Sequence, residues 1–295
     1  MSSLDWNREG LIWPHRDASE FITIGGARWH VQRMAPKNKR DGPPLLLLHG
    51  TGASVHSWRD LMPLLAKSNE VIAIDLPRHA FTTGHNAYAM GLPAMAGEVA
   101  GLLKHLDITP AAIIGHSAGA ALALQLGLAH GFTGPIVGLN SALRPFPGPF
   151  AQIFPAVAKA LFINPLVPRI FASTVDLTGG AGRFLWRSTH SRISAEGLAC
   201  YRTLLKHPGH AGGALAMMAN WDLPGLRDRM GSVANPVLMV HGESDPAIPL
   251  SWAREAQGWM PNAQLEVLAG LGHLAHEEAP DKVAALISAF LAERV

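Results

Sequence analysis

The chain has 295 residues, of which 48% are hydrophobic and only 16% charged; charge content well under the roughly 25% of an average soluble domain excludes a disordered chain and requires a large buried interior. Lys plus Arg number 24 against 22 for Asp plus Glu, a net charge of +2, so no basic footprint for nucleic acid is present. The one cysteine, Cys200, excludes an intrachain disulfide and any CxxC metal or redox site, and reads as a small core residue in a reducing compartment.

The opening stretch MSSLDWNREGLIWPHRD mixes charge with aromatics and holds no basic segment followed by an apolar run, so a cytoplasmic protein is expected. Residues 21–34, FITIGGARWHVQRM, read as a β-hairpin about Gly25-Gly26. A polar linker, Lys37 to Pro44, leads into Leu45–Leu48, a continuous apolar run typical of a parallel strand covered on both faces. Val71–Ile74, Ala111–Ile114, Pro135–Leu139, Val237–Val240 and Leu265–Leu268 repeat the pattern. Helix-length segments at Ser57–Lys67, Pro93–Leu106, Ala118–His130 and Pro280–Arg294 lie between or after them. Strands alternating with helices imply a mostly parallel α/β sheet with right-handed crossovers. Residues 111–130 are nearly apolar enough to span a bilayer, but Gly115, His116, Ser117 and Gly119 interrupt them, so they read as a buried strand followed by a buried helix.

The alternation breaks from about Leu143 to Ser232, where prolines leave room only for short helices. This predicts a core of residues 1–142 and 233–295 with a helical cap, 143–232, inserted after the sixth strand. The cap would cover the carboxyl edge of the sheet, where open α/β sheets bind ligands.

Gly115-His116-Ser117-Ala118-Gly119 follows an apolar strand and opens a helix, the setting that turns a G-x-S-x-G match into a nucleophile elbow. A serine hydroxyl needs a base in reach and a carboxylate to orient that base. His273 follows the last strand, and Asp245 lies in the loop after the strand that returns from the insertion; Glu243 is the competing acid. Ser117, Asp245, His273 is the α/β-hydrolase chain order, and these three are the predicted catalytic residues. His49-Gly50-Thr51-Gly52 follows the first parallel strand, and the amides of Thr51 and Ala118 are the predicted oxyanion donors, with Gly52 the alternate to Thr51. His116 reads as packing beneath the elbow and bordering the substrate. His276 reads as a pocket-edge or helix-start residue. No H-E-x-x-H or other ligand cluster is present, so neither a metal nor another cofactor is expected.

From residue 21 to 295 the chain resembles a capped α/β-hydrolase. Within that superfamily it resembles the magnesium-chelatase accessory proteins of bacteriochlorophyll synthesis. The resemblance rests on Asp5-Trp6, Trp13-Pro14, Trp29-His30-Val31-Gln32, HGTGASVHSWR from His49 to Arg59, NPLVPR from Asn164 to Arg169 and MMANWDL from Met217 to Leu223. It implies a role near the magnesium insertion step, a small-molecule substrate that could be a tetrapyrrole, and transient contact with magnesium chelatase or a membrane surface. Alternatives are a non-catalytic porphyrin carrier and a general carboxylesterase or carbon–carbon hydrolase. Trp221, Met218 and Arg78 are candidate substrate-binding residues, and Phe146, Phe150, Phe154, Phe162 and Met217 candidate pocket lining; residues 151–172 are apolar and basic enough to touch lipid.

One departure from the family pattern matters. Where D-x-P-G-x-G is usual, this chain reads Asp75-Leu76-Pro77-Arg78-His79-Ala80. Arg78 and Ala80 cannot take positive φ as cheaply as glycine, so a reshaped turn is expected. Arg78 is expected to face the site entrance, where it could pair with a substrate carboxylate.

Overall fold

Alternate residues of the central strands go to opposite faces of one sheet, so a run of four leucines serves two cores. Leu46 and Leu48 pack with one apolar cluster, Leu45 and Leu47 with another. The computed structural model describes residues 4–36, 43–86, 90–144 and 180–294. Their eight strands are β1 (Ser19–Ile24), β2 (Ala27–Met34), β3 (Leu45–Leu48), β4 (Val71–Ile74), β5 (Ala112–His116), β6 (Ile136–Leu139), β7 (Val237–Gly242) and β8 (Ala263–Leu268). The spatial order is β1-β2-β4-β3-β5-β6-β7-β8. β1 and β2 form the expected antiparallel hairpin, β2 joins β4 antiparallel, and all later pairs are parallel.

The helices before β6 are α1 (Leu61–Leu65), α2 (Leu92–His105) and α3 (Ala118–His130). Among the described residues four lie between β6 and β7, namely α4 (Gly180–Thr189), α5 (Ala195–Leu205), α6 (Pro208–Asn220) and α7 (Leu223–Arg227). The core closes with α8 (Leu250–Gln257), α9 (Ala275–Glu278) and α10 (Pro280–Ala292). Val99 and Leu102 of α2, Leu122 and Leu126 of α3, and Ala253 of α8 join the Leu46 cluster; Leu61 and Leu65 of α1 with Ile287 and Leu291 of α10 join the Leu45 cluster. Each fully buried leucine contributes about 2 kcal/mol through the area it removes from water.

Residues 111–130 are β5 and α3 rather than a span, and no helix among the described residues is long and apolar enough to cross a membrane. The expected helix over Ser57–Lys67 is two pieces, a 3-10 turn (Val55–Trp58) and α1. They separate where Arg59 turns inward to a buried ion pair with Glu277, at 2.5 Å. Phe146, Phe150, Phe154 and Phe162, expected as pocket lining, the NPLVPR stretch, the candidate lipid-contact segment 151–172 and the linker residues 37–42 lie outside the described residues.

The amino-terminal family motifs fasten the first strands to the sheet. His30 Nδ1 donates to Asp75 at 2.7 Å and Gln32 Nε2 donates to the Pro14 carbonyl at 2.7 Å. Trp6 and Trp13 both stack edge-on against Phe81, at 4.8 and 4.9 Å.

The Asp75–Ala80 turn departs from expectation: it keeps the glycine conformation without the glycines. Arg78 has φ +61° and Ala80 φ +43°. Its surroundings over-determine it. The Leu76 N–H donates to His49, the Ala80 N–H to His210 and the Phe81 N–H to Asp75, at 2.9, 3.0 and 3.2 Å.

Candidate active site

Ser117 stands between β5 and α3 with φ 52° and ψ −114°, outside the ordinary regions for an L-residue. Tight packing imposes that geometry. A Cβ on Gly119 would collide with the Leu48 carbonyl, and one on Gly115 with the Gly119 backbone. Gly50 packs from the other side, where a Cβ would lie 2.8 Å from His116 Nδ1 and 3.0 Å from Ser117 Cβ. The His49–Gly52 turn therefore abuts the elbow. Ala118 is the first residue of α3, so its N–H lacks an intrahelical acceptor and lies at the positive end of the helix dipole.

Asp245 and His273 come from the ends of β7 and β8. His273 Nδ1 lies 2.6 Å from Asp245 Oδ2. The same oxygen accepts from Asn140 Nδ2 at 2.8 Å, while Oδ1 accepts the N–H groups of Ala247 and Ile248 at 2.8 and 2.9 Å. Burial pushes the Asp245 carboxyl up, but the His273 hydrogen bond and charge, the Ile248 N–H and Asn140 outweigh it and leave it below its ordinary range. An ionised carboxylate only accepts, so Nδ1 of His273 carries the proton and Nε2 keeps its lone pair.

The end of α4 and the segment that follows it hold the histidine loop. The His273 N–H donates to the Thr189 carbonyl at 2.8 Å, and the Leu274 N–H to Ser191 Oγ at 2.9 Å. Arg59, Glu277 and Tyr201 tie helix α5 to the same region, with the Tyr201 hydroxyl donating to Glu277 Oε1 at 2.7 Å. Glu243, the competing acid, is exposed. Cys200 is fully buried, and burial pushes its thiol up to about 12.

Two expectations are corrected, those for His116 and His276, both of which are buried. His116 is 2% exposed and donates from Nε2 to the His273 carbonyl at 3.0 Å, with burial holding it down to about 3; it props the histidine loop instead of bordering substrate. Arg78, expected at the site entrance, is half-buried, and its Nη1 donates to the His85 carbonyl at 3.3 Å. Of the methionine pair, Met217 is the one at the elbow's neighbour: its sulfur accepts from the Thr51 hydroxyl at 3.4 Å, while Met218 is half-buried. Trp221 is half-buried against the α2–α3 side core. His276, expected at the pocket edge, is fully buried with Nε2 3.0 Å from the Ser57 hydroxyl.

Asn140 and His210 escaped sequence reasoning. Asn140 had a signal, a polar residue directly after an apolar parallel strand, one strand from the acid. His210 had none, because its partners are backbone groups of distant loops. Among the described residues no cluster of His, Cys, Asp and Glu suits a metal ion.

Comparison with known proteins agrees with this architecture. The family model described as "Alpha/beta hydrolase family" matches residues 45–286. The chain is 40% identical to a magnesium-chelatase 30 kDa subunit of Rhodobacter capsulatus, over 93% of this chain and 95% of that one. It is 31% identical to the dihydrolipoyllysine-residue acetyltransferase component of an acetoin cleaving system of Pseudomonas putida, over 94% of this chain and 74% of that protein. The crystal structure of a putative lipase from Acinetobacter baumannii superposes with a TM-score of 0.78 at 21% identity, covering 99% of this chain and 98% of its own. The fold, the strand-end loops and these matches together place the chain in the alpha/beta hydrolase family.

Proposed function

We propose that the chain is a serine hydrolase of esterase type acting in bacteriochlorophyll synthesis near the magnesium chelatase step, with residues 143–232 as its cap. The catalytic assignment is carried by the 2.6 Å bond between His273 and Asp245, which fixes the tautomer a general base requires. The pathway assignment draws on the likeness to the Rhodobacter capsulatus subunit.

In this reading Ser117 Oγ attacks the substrate carbonyl while its proton passes to His273 Nε2. The Thr51 and Ala118 amides hold the oxyanion. The protonated His273 then gives its proton to the leaving alcohol, and water repeats the sequence to release the acid. The substrate is a small molecule, with a tetrapyrrole ester the candidate that fits the pathway; Trp221 and Met218 stand as candidate contacts on the cap side. Contact with magnesium chelatase or a membrane surface belongs to the same reading, as does a cytoplasmic location.

Labelling by a fluorophosphonate tests the chemistry. Wild-type protein is expected to be labelled and Ser117→Ala not, with an unchanged unfolding midpoint. The same variant is then expressed in a cell that lacks the wild-type protein and is starved of pigment. Loss of pigment is expected. Full pigment with a folded, unlabelled variant would reject hydrolysis and leave porphyrin carriage as the function.

A further inference from the structure

Helix α6 carries His210, Gly213 and Met217 three and four residues apart, hence on one face. All three meet the loops at the carboxyl ends of β3 and β4. His210 donates from Nε2 to the Gly52 carbonyl and accepts the Ala80 N–H at Nδ1, both at 3.0 Å. Gly213 lies so near the Arg78 carbonyl that a Cβ would collide with it, and Met217 meets the Thr51 hydroxyl. His210 is 3% exposed, with the His79 ring edge-on at 5.3 Å.

The hydrogen bonds continue from the cap to the elbow. The Gly52 carbonyl belongs to the peptide whose N–H is that of Ala53, and this N–H donates to the Gly50 carbonyl at 3.1 Å. The Gly50 carbonyl in turn belongs to the peptide whose N–H is that of Thr51. In a trans peptide C=O and N–H point opposite ways, so a donor on the Gly52 oxygen orients, through two peptide planes, the Thr51 N–H. Such a chain also polarises each successive donor. Gly52, at φ +74°, supplies the left-handed backbone the turn needs.

We propose that His210 is a positioning residue through which the cap sets the oxyanion turn: with α6 seated, its imidazole aims the Thr51 N–H, and with α6 displaced the turn loses that constraint. This ties completion of the site to cap closure. The proposal rests on the hydrolase reading for its consequence in rate, but not for its structural content.

The two ring nitrogens can be separated by substitution. His210→Gln puts an amide N–H near the Nε2 position and keeps the Gly52 bond. His210→Asn puts an acceptor near the Nδ1 position and keeps only the Ala80 bond. Fluorophosphonate labelling of Ser117 is expected to slow about tenfold in His210→Asn, less than loss of a direct oxyanion donor costs, and to stay near wild type in His210→Gln. The pH midpoint of labelling should be unchanged in both, because His273 and Asp245 are untouched. Hydrogen exchange of the 50–53 amides should quicken in His210→Asn alone. Equal rates and equal exchange in the two variants would overturn the proposal. If wild-type protein is not labelled at all, the hydrolase reading fails, and the exchange comparison still decides whether His210 holds the turn.

Discussion

Asn140 and His273 donate to the same oxygen of Asp245, at 2.8 and 2.6 Å. With both N–H groups fixed on Oδ2, the imidazole plane is set from the strand between elbow and acid loop. Asp245→Asn would place an amide there, and an amide N–H facing His273 would force the proton onto Nε2, where it blocks base action. Labelling of Ser117 is expected to fall by about 10³ to 10⁴-fold at neutral pH, as for the wrong tautomer in other triads. A variant labelled within a factor of ten of wild type would remove Asp245 from the mechanism.

A second Asp, His, Ser sequence of hydrogen bonds runs through Asp75, His30 and Ser19, with the Ser19 hydroxyl 3.1 Å from His30 Nε2. Residue types alone would make it a rival site. Backbone geometry decides otherwise: Ser19 has φ −87° and ψ 135°, ordinary extended strand, and no helix amino terminus begins behind it. Ser19→Ala is expected to leave fluorophosphonate labelling unchanged. Label recovered on a Ser19 peptide after Ser117→Ala would contradict this.

Most of the sheet was legible because a strand covered on both faces is apolar at every position. Leu45–Leu48 and Val71–Ile74 announce their own ends, and Ala118–His130 begins at the elbow and ends where Gly131 adopts a left-handed conformation. Period gave the elements, and chain order named Ser117, Asp245 and His273 as candidates, of which Asp245 and His273 share a hydrogen bond. The supports of the site were not legible. His116, Asn140 and His210 act through hydrogen bonds to groups 157, 105 and 158 residues away, and no local pattern encodes such partners. The glycine rule also misled at Arg78 and Ala80, because it weighs the local cost of positive φ and not the neighbours that hold it.

That cost can be measured. Arg78 at φ +61° carries a left-handed penalty of about 1–2 kcal/mol that glycine lacks. Arg78→Ala removes the guanidinium and its bond to His85 but keeps the strain; Arg78→Gly removes both, while adding up to about 1 kcal/mol of unfolded-chain entropy. Arg78→Gly is therefore expected to be more stable than Arg78→Ala by about 0.5–1 kcal/mol in urea unfolding. Equal stabilities would mean that the turn relaxes when the arginine is lost.

Acid should unfold the protein early, and buried histidines are the reason. Burial holds His79 down to about 4 and His116 and His210 to about 3, and it pushes His49, His56 and His276 well below their ordinary value. In the unfolded chain each titrates near 6.5. Above that pH these residues are neutral in both states and stability is at its full value. As pH falls from about 6.5 toward 4, the unfolded chain takes up protons that the native protein refuses, so stability is lost by about 1.4 kcal/mol per pH unit for each such histidine. Asp245, held below its ordinary range, adds a loss of the same sign at lower pH. His79→Asn keeps a donor for the Pro77 carbonyl, which His79 Nδ1 contacts at 3.0 Å, and removes one titrating group. Urea unfolding between pH 6.5 and 4.5 should show the slope of stability against pH reduced by about one proton in this variant. An unchanged slope would mean that His79 is already protonated in the native protein.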